Sequence, residues 1–377
     1  MSRHYLDHAS TSPTRPEAVD ALAGELRGPG GDPARIHHEG QVARVAVEEA
    51  RERVAALLGA RGREVVFTSG ATEAIATAVH GSAARAEERA PGRRAHVVAA
   101  AVEHSAVRLS SARHDLSLVG CDRQGRVDAG ELLAAVRPDT ALVHLQWGNH
   151  EVGTTQPVAD VVAGCRERGV LVHVDAAQAA GHVPVDFRSL GADLMSVSAH
   201  KMGGPPGVGA LLVRRGLRLD ALLVGGDQER ARRAGFENVP AIVGWGAASA
   251  ALAGELDEEE GAARGRTARV LEATTALDGV EVFGDAQDRL PHIVCLGIRG
   301  IEPQAVLLGL DQAGIAVHSG SACASEDLVP SPVLEAMGVD AHHSLRVSVG
   351  WSTTDADIDA LVDTLPSVLG RLRALGA

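Results

Sequence analysis

The chain has 377 residues and a formal net charge of −13. That length suffices for one large and one small domain around a substantial core. The charge argues against nucleic acid or an anionic membrane as the main partner. Four cysteines, at 121, 165, 295 and 323, show neither paired nor CxxC spacing, which points to reduced thiols in a cytoplasmic protein and to no metal site.

The stretch from Met1 to Asp7 lacks the apolar run of a secretion signal, and no apolar run approaches the ~18 residues that cross a bilayer. Pro16 opens a first helix that runs on from Glu17 to Leu26. A second helix is expected from about His38 to Leu58, with Val42, Val45, Val54 and Leu57 on one face. Strands at Val65–Thr68, Ala95–Ala100, Ala141–Gln146, Val170–Asp175, Asp193–Ser198 and Gly207–Val213 then alternate with helices at Thr72–His80, Ser105–Arg113, Glu131–Val136 and Val158–Arg168. Such alternation implies an α/β fold with a mostly parallel sheet covered by helices. From about Leu252 the character changes. A charged linking helix, Glu255–Arg269, leads into short strands at Val280–Phe283, Ile293–Leu296, Ile315–Val317 and Leu345–Val349, a helix near Pro303–Leu310 and a final helix, Asp355–Leu375. The expected division is a large domain over 14–252 and a smaller α+β domain from 1–13 and 253–377.

Lys201 is the only lysine in a chain whose other long cations are all arginine. A guanidinium stays protonated, whereas an ε-amine can lose its proton and attack a carbonyl, and Schiff-base formation is the main chemistry of that kind. Asp175 ends one buried strand, and the next delivers Ser198, His200 and Lys201, so an acid and an amine share the crevice where open α/β sheets bind ligands. An aspartate beside a Schiff-base lysine is what pyridoxal phosphate needs to keep its ring nitrogen protonated. Thr68-Ser69-Gly70-Ala71-Thr72-Glu73 lies between a strand and a helix. Backbone N–H groups there, Ala71's among them, and the Thr72 hydroxyl suit a phosphate. His104 is placed to lie over a cofactor ring and move protons, and Gln178 to bond its phenolic oxygen. Arg346 suits a bidentate clamp on a substrate carboxylate. Cys323 sits in the small, polar run His318–Asp327, which suits an exposed, mobile loop and a nucleophilic thiol.

With these residues in register, the chain resembles the NifS/IscS-like cysteine desulfurases of the class V aminotransferase group. The likeness runs through Tyr5-Leu6-Asp7, Phe67 to Glu73, Glu103-His104, Glu151-Val152-Gly153, His173-Val174-Asp175-Ala176, His200-Lys201, Gln228-Glu229 and Ser319-Gly320-Ser321-Ala322-Cys323. It implies a fold type I pyridoxal phosphate enzyme with the cofactor on Lys201. Its phosphate would be held by Ala71, Thr72, Ser198 and His200, and its ring by His104, Asp175, Gln178 and His150. Arg346 and Asn149 would hold the substrate, Cys323 would accept its sulfur, and a homodimer would pass that sulfur to an acceptor protein. Rival readings are a lyase or transaminase acting on another amino acid such as selenocysteine, and a non-catalytic partner subunit. The chain departs from the family where His150 and Phe236 replace an asparagine and a threonine, and at Asp32, Ile75 and Pro206.

Overall fold

A computed structural model of the chain describes residues 3–319 and 330–376. Seven strands form its central sheet in the order Val65–Thr68, Gly209–Val213, Leu194–Ser198, Leu171–Asp175, Thr140–Gln146, His96–Ala100 and Asp115–Val119. Gly209–Val213 runs against both of its neighbours, and the other six run one way. Six strand C-termini therefore open at the same end of the sheet, and that end carries the site. Asp115–Val119 has no counterpart among the expected strands. It is an edge strand, partly exposed on both faces, and its apolar content is only Leu116, Leu118 and Val119.

The helix His38–Leu57 forms as expected, and Val54 and Leu57 of its expected face pack on the core, but its first half buries a different face. Val42 and Val45 are 52 % and 55 % exposed, while Ala43, Val47, Ala50, Val54 and Ala55 are buried. The reason is close helix packing through small residues: a Cβ on Gly246 would lie 2.7 Å from the Cα of Ala50. Bulk alone pointed to the wrong side.

Gly246 belongs to a helix much longer than the expected Glu255–Arg269 linker. It runs from Val239 to Thr275, capped by Asn238, whose side chain accepts from Ala241 N–H at 3.3 Å. By length and composition it is apolar enough to cross a membrane, contrary to the sequence expectation. Its apolar half instead packs against the helices Pro16–Arg27 and His38–Leu57, with Trp245 fully buried. Leu252 belongs to the core around the large sheet, and Ala263 and Val270 to a second core.

The second core is built on a three-stranded antiparallel sheet, Ser344–Ser348, Ile293–Ile298 and Val280–Phe283. Period-two alternation divides these strands between the cores. Ile293 and Cys295 face the large core, whereas Val294, Leu296 and Ile298 join the second. Leu345 and Val347 follow the latter, so Arg346 between them faces the other way, as does its register partner Cys295.

A buried ion pair ties the region before the long helix to the sheet. Arg51 donates through both terminal nitrogens to Glu229, each at 2.7 Å, and Glu229 also accepts from Phe67 N–H. Glu229, Arg230 and Ala231 all hold positive φ, 48°, 58° and 59°, a conformation unfavourable for side chains of this kind. The ion pair holds that strained turn in place. Glu229→Gln is expected to lower the unfolding free energy by about 3 kcal/mol, since it leaves a buried guanidinium short of charge. Urea unfolding of the cofactor-loaded protein measures it, and an unchanged midpoint would refute the assignment.

Candidate active site

Of the residues singled out from the sequence, all but Asn149 and Cys323 line one cavity of about 490 Å³ at the strand C-termini. The strand Leu194–Ser198 passes directly into a single 3-10 turn, Ala199–Lys201, and this short turn carries Lys201 to the crevice beside Asp175. The backbone carbonyl of Lys201 accepts from His182 Nε2 at 3.1 Å, which fixes the turn from below. Asp175 Oδ1 accepts from the Ser196 hydroxyl at 2.9 Å and from Ala177 N–H at 3.1 Å, so the carboxylate is oriented. Ser196 is the register partner of Asp175 on the next strand. Nothing in the sequence marks it, because that pairing depends on strand register.

The phosphate-type cradle is formed at the start of the helix Ala71–Arg89. The first intrahelical bond runs from Ala74 N–H to Gly70 O, so the amides of Ala71, Thr72 and Glu73 have no acceptor within the helix. Such amides and the helix dipole together favour an anion. Glu73 closes the turn by accepting from Ser69 N–H at 2.9 Å and pairing with Arg233 at 2.9 Å. Gly209 makes room for the turn: a Cβ there would lie 2.6 Å from the Cα of Gly70. Ser198 and His200 complete the lining, and burial beside Lys201 pushes His200 down to about 4, so it is neutral at working pH.

Two imidazoles form the opposite wall. His104 and His150 meet edge to face with ring centroids 5.0 Å apart. Burial, and each group's charged neighbours, push both down to about 3. His104 Nδ1 accepts from Ala106 N–H at 3.1 Å, so its proton sits on Nε2. His150 Nε2 lies 3.5 Å from Glu151 Oε1, and its Nδ1 is buried without a hydrogen-bond partner.

Arg346 is fully buried, and its guanidinium is held by the His150 carbonyl at 2.8 Å, Asp7 at 3.0 Å and the Ser10 hydroxyl at 2.7 Å. Asp7 and Ser10 come from the first residues of the chain, and sequence reading gave them no part in the site. Gln178 lines the cavity but already donates to Ala9 O at 2.9 Å and accepts from His292 at 3.3 Å. Asn149 lies outside the lining; its amide donates to Val102 O and accepts from the N–H groups of Glu151 and Val152. It shapes the turn that places His150. Cys323 lies outside the described residues. The chain approaching it is anchored at His318, which exchanges two backbone bonds with Arg346. The chain leaving it is anchored at Ser331, which donates to Glu151 at 2.5 Å.

Glu103, beside His104, was also missed. Its Oε1 accepts from Gln146 N–H at 2.6 Å while Oε2 is buried without a partner. Burial, and then Asp175, push its carboxyl up to about 8. A neutral Glu103 leaves Asp175 as the carboxylate for a bound cation.

The family model for aminotransferase class-V matches residues 4–361. The chain belongs to this family. As a class-V aminotransferase it is similar to the cysteine desulfurase IscS of Dictyoglomus turgidum, at 38 % identity over 98 % of this chain and 95 % of that one. It is also similar to a cysteine desulfurase of Cereibacter sphaeroides, at 41 % over 100 % and 98 %. Among solved structures, a NifS-like protein superposes with a TM-score of 0.90 at 31 % identity, over 98 % of this chain and all of that one. Class-V aminotransferases are pyridoxal phosphate enzymes, and the cavity fits that cofactor. It offers the Lys201 amine, the oriented Asp175 carboxylate, unpaired helix amides for the phosphate, and the buried, unpartnered His150 Nδ1 and Arg346 Nε.

Proposed function

We propose that the protein is a cysteine desulfurase, converting L-cysteine to L-alanine and leaving the sulfur as a persulfide on Cys323. The observation that carries this reading is the convergence of Lys201, Asp175 and Arg346 on one cavity, in a chain whose relatives bear that name over nearly their full length. Lys201, Asp175, Gln178 and the cradle of Ala71, Thr72, Ser198 and His200 would hold the cofactor, which supplies an electron sink for the substrate's α-carbon. Arg346, its orientation set by Asp7 and Ser10, binds the substrate carboxylate. The Lys201 amine carries the α-proton. His104 donates through Nε2; to take the substrate thiol's proton it must first release Ala106 N–H. The Cys323 thiolate attacks the substrate sulfur. The C–S bond breaks as the S–S bond forms, and the electron pair stays on carbon, which gains a proton to become the methyl of alanine. Carbon is reduced as sulfur is oxidised, so no outside oxidant is needed.

A homodimer, a cytoplasmic setting and a sulfur-acceptor protein belong to the same proposal. The homodimer is supported by exposed apolar residues flanking the groove between residues 33–51 and 227–237, among them Ile36, 93 % exposed, Val42, Val45 and Phe236, 63 % exposed. Such a patch favours a partner surface. The free thiols of Cys121, Cys165 and Cys295 suit a reducing compartment.

Brief exposure to L-cysteine should give alanine and add one sulfur atom to the Cys323 peptide, read by mass spectrometry. Alanine without that addition would favour a lyase, and no reaction of the loaded protein would favour a non-catalytic subunit.

His150 gives a spectral prediction. Burial keeps His150 neutral, and its Nδ1 has no hydrogen-bond partner. His150→Asn exchanges the neutral imidazole for an amide whose N–H can donate to the cofactor's phenolic oxygen, which stabilises the phenolate. The visible-band titration should move to lower pH, by up to about one unit. An unchanged titration would show that His150 does not touch the ring.

A further inference from the structure

A second cavity, of about 560 Å³, opens at the other end of the central sheet, lined by Ala95 just before the strand His96–Ala100 and by Thr140 and Leu171, which open theirs. Five arginines line it. Arg85 and Arg89 stand one turn apart at the end of the helix Ala71–Arg89, Arg93 and Arg94 follow in the loop, and Arg218 comes from beyond the strand Gly209–Val213. The lining holds one carboxylate, Asp139, and that is engaged by Arg137 at 3.2 Å. Arg85 pairs with Asp220 at 3.3 Å, yet its Nε is buried without a partner. Among the described residues no carboxylate lies within 4 Å of Arg89, Arg93, Arg94 or Arg218. In a chain of net charge −13 this is a local inversion of sign, and the uncompensated guanidiniums repel one another.

We propose that this cleft is a binding site for a compact polyanion, a condensed phosphate either free or carried on a nucleoside. Its volume falls in the range of small-molecule sites, roughly 300–1,000 Å³. Guanidiniums are suited to fork onto phosphate oxygens. No aromatic side chain lines the cleft, so it offers no platform for stacking a base and reads charge alone. The competing explanation is that Arg85 and Arg89 merely complement the negative end of their helix. That accounts for two arginines but not for Arg93, Arg94 and Arg218, which lie outside it. The site stands apart from the catalytic cavity and does not rest on the desulfurase reading.

Calorimetric titration of the protein saturated with pyridoxal phosphate, which fills the other phosphate cradle, tests the proposal. Sodium tripolyphosphate in low salt should bind at one site per chain and weaken as sodium chloride is added. Arg89→Ser and Arg94→Ser should each weaken it about tenfold, with cofactor absorbance and turnover unchanged. ATP binding as tripolyphosphate does, with adenosine silent, would show that a nucleoside carrier is tolerated; tripolyphosphate binding without ATP would restrict the site to the free form. No saturable binding, or equal binding by both variants, would overturn the proposal. So would tighter binding of a poly-aspartate peptide or a DNA oligonucleotide, which would make the cleft part of a macromolecular surface.

Discussion

Lys201→Arg is expected to leave a folded protein with no covalently attached cofactor and turnover reduced on the order of a thousandfold or more. The substitution keeps the positive charge, so the electrostatic balance with Asp175 survives. It removes the one side chain that can condense with an aldehyde and then carry a proton, because a guanidinium does neither at working pH. The backbone of the turn is held independently, by the bond from His182 to the Lys201 carbonyl, so the loss is chemical rather than structural. Borohydride reduction of the parent should fix pyridoxal phosphate to a single tryptic peptide, the one containing Lys201, and the variant should yield none. Label confined to the N-terminal amine, the other primary amine in the chain, would end the cofactor assignment.

Cys323→Ser should abolish persulfide formation and lower sulfide release about a thousandfold or more, equivalent to ~4 kcal/mol of barrier. A serine hydroxyl has a far higher pKa and is a poor nucleophile toward sulfur. Cofactor binding should survive, since the cradle, Asp175 and Lys201 are untouched. The other three cysteines cannot substitute. Burial pushes Cys121 and Cys165 up to about 11 and Cys295 up to about 12, so all three remain thiols. Serine at those positions should change turnover little, with any effect at the buried Cys165 and Cys295 read as lost stability. If Cys323→Ser releases sulfide at the parent rate, the sulfur leaves by another route and the lyase reading replaces this one.

The chemistry of the site was legible because it depends on residue types that stand out locally. One lysine in an arginine-rich chain, an aspartate ending an apolar run and a Ser-Gly-Ala-Thr turn before a helix each announce a role without reference to distant residues. All of them meet in one cavity. The misreadings share a cause as well. Val42 and Val45 were assigned to the core by size, whereas close approach at Gly246 buries Ala43 and Ala50. The edge strand Asp115–Val119 gives a weak signal because, partly exposed on both faces, it needs few apolar residues.

The sequence by itself determined the alternating strands and helices, the lysine–aspartate pair and the phosphate turn, because hydrophobic period and side-chain chemistry are local properties. The tertiary structure decided which remote groups orient them. Ser196 reaches Asp175 through strand register, and Asp7 and Ser10 cross 339 and 336 positions of chain to hold Arg346. His182 supports the lysine turn, and its ring stacks on His292 at 3.6 Å. Burial then set the protonation states, with His104 and His150 held neutral and Glu103 pushed up to about 8. Desolvation depends on everything packed around a group, and no window of sequence contains that.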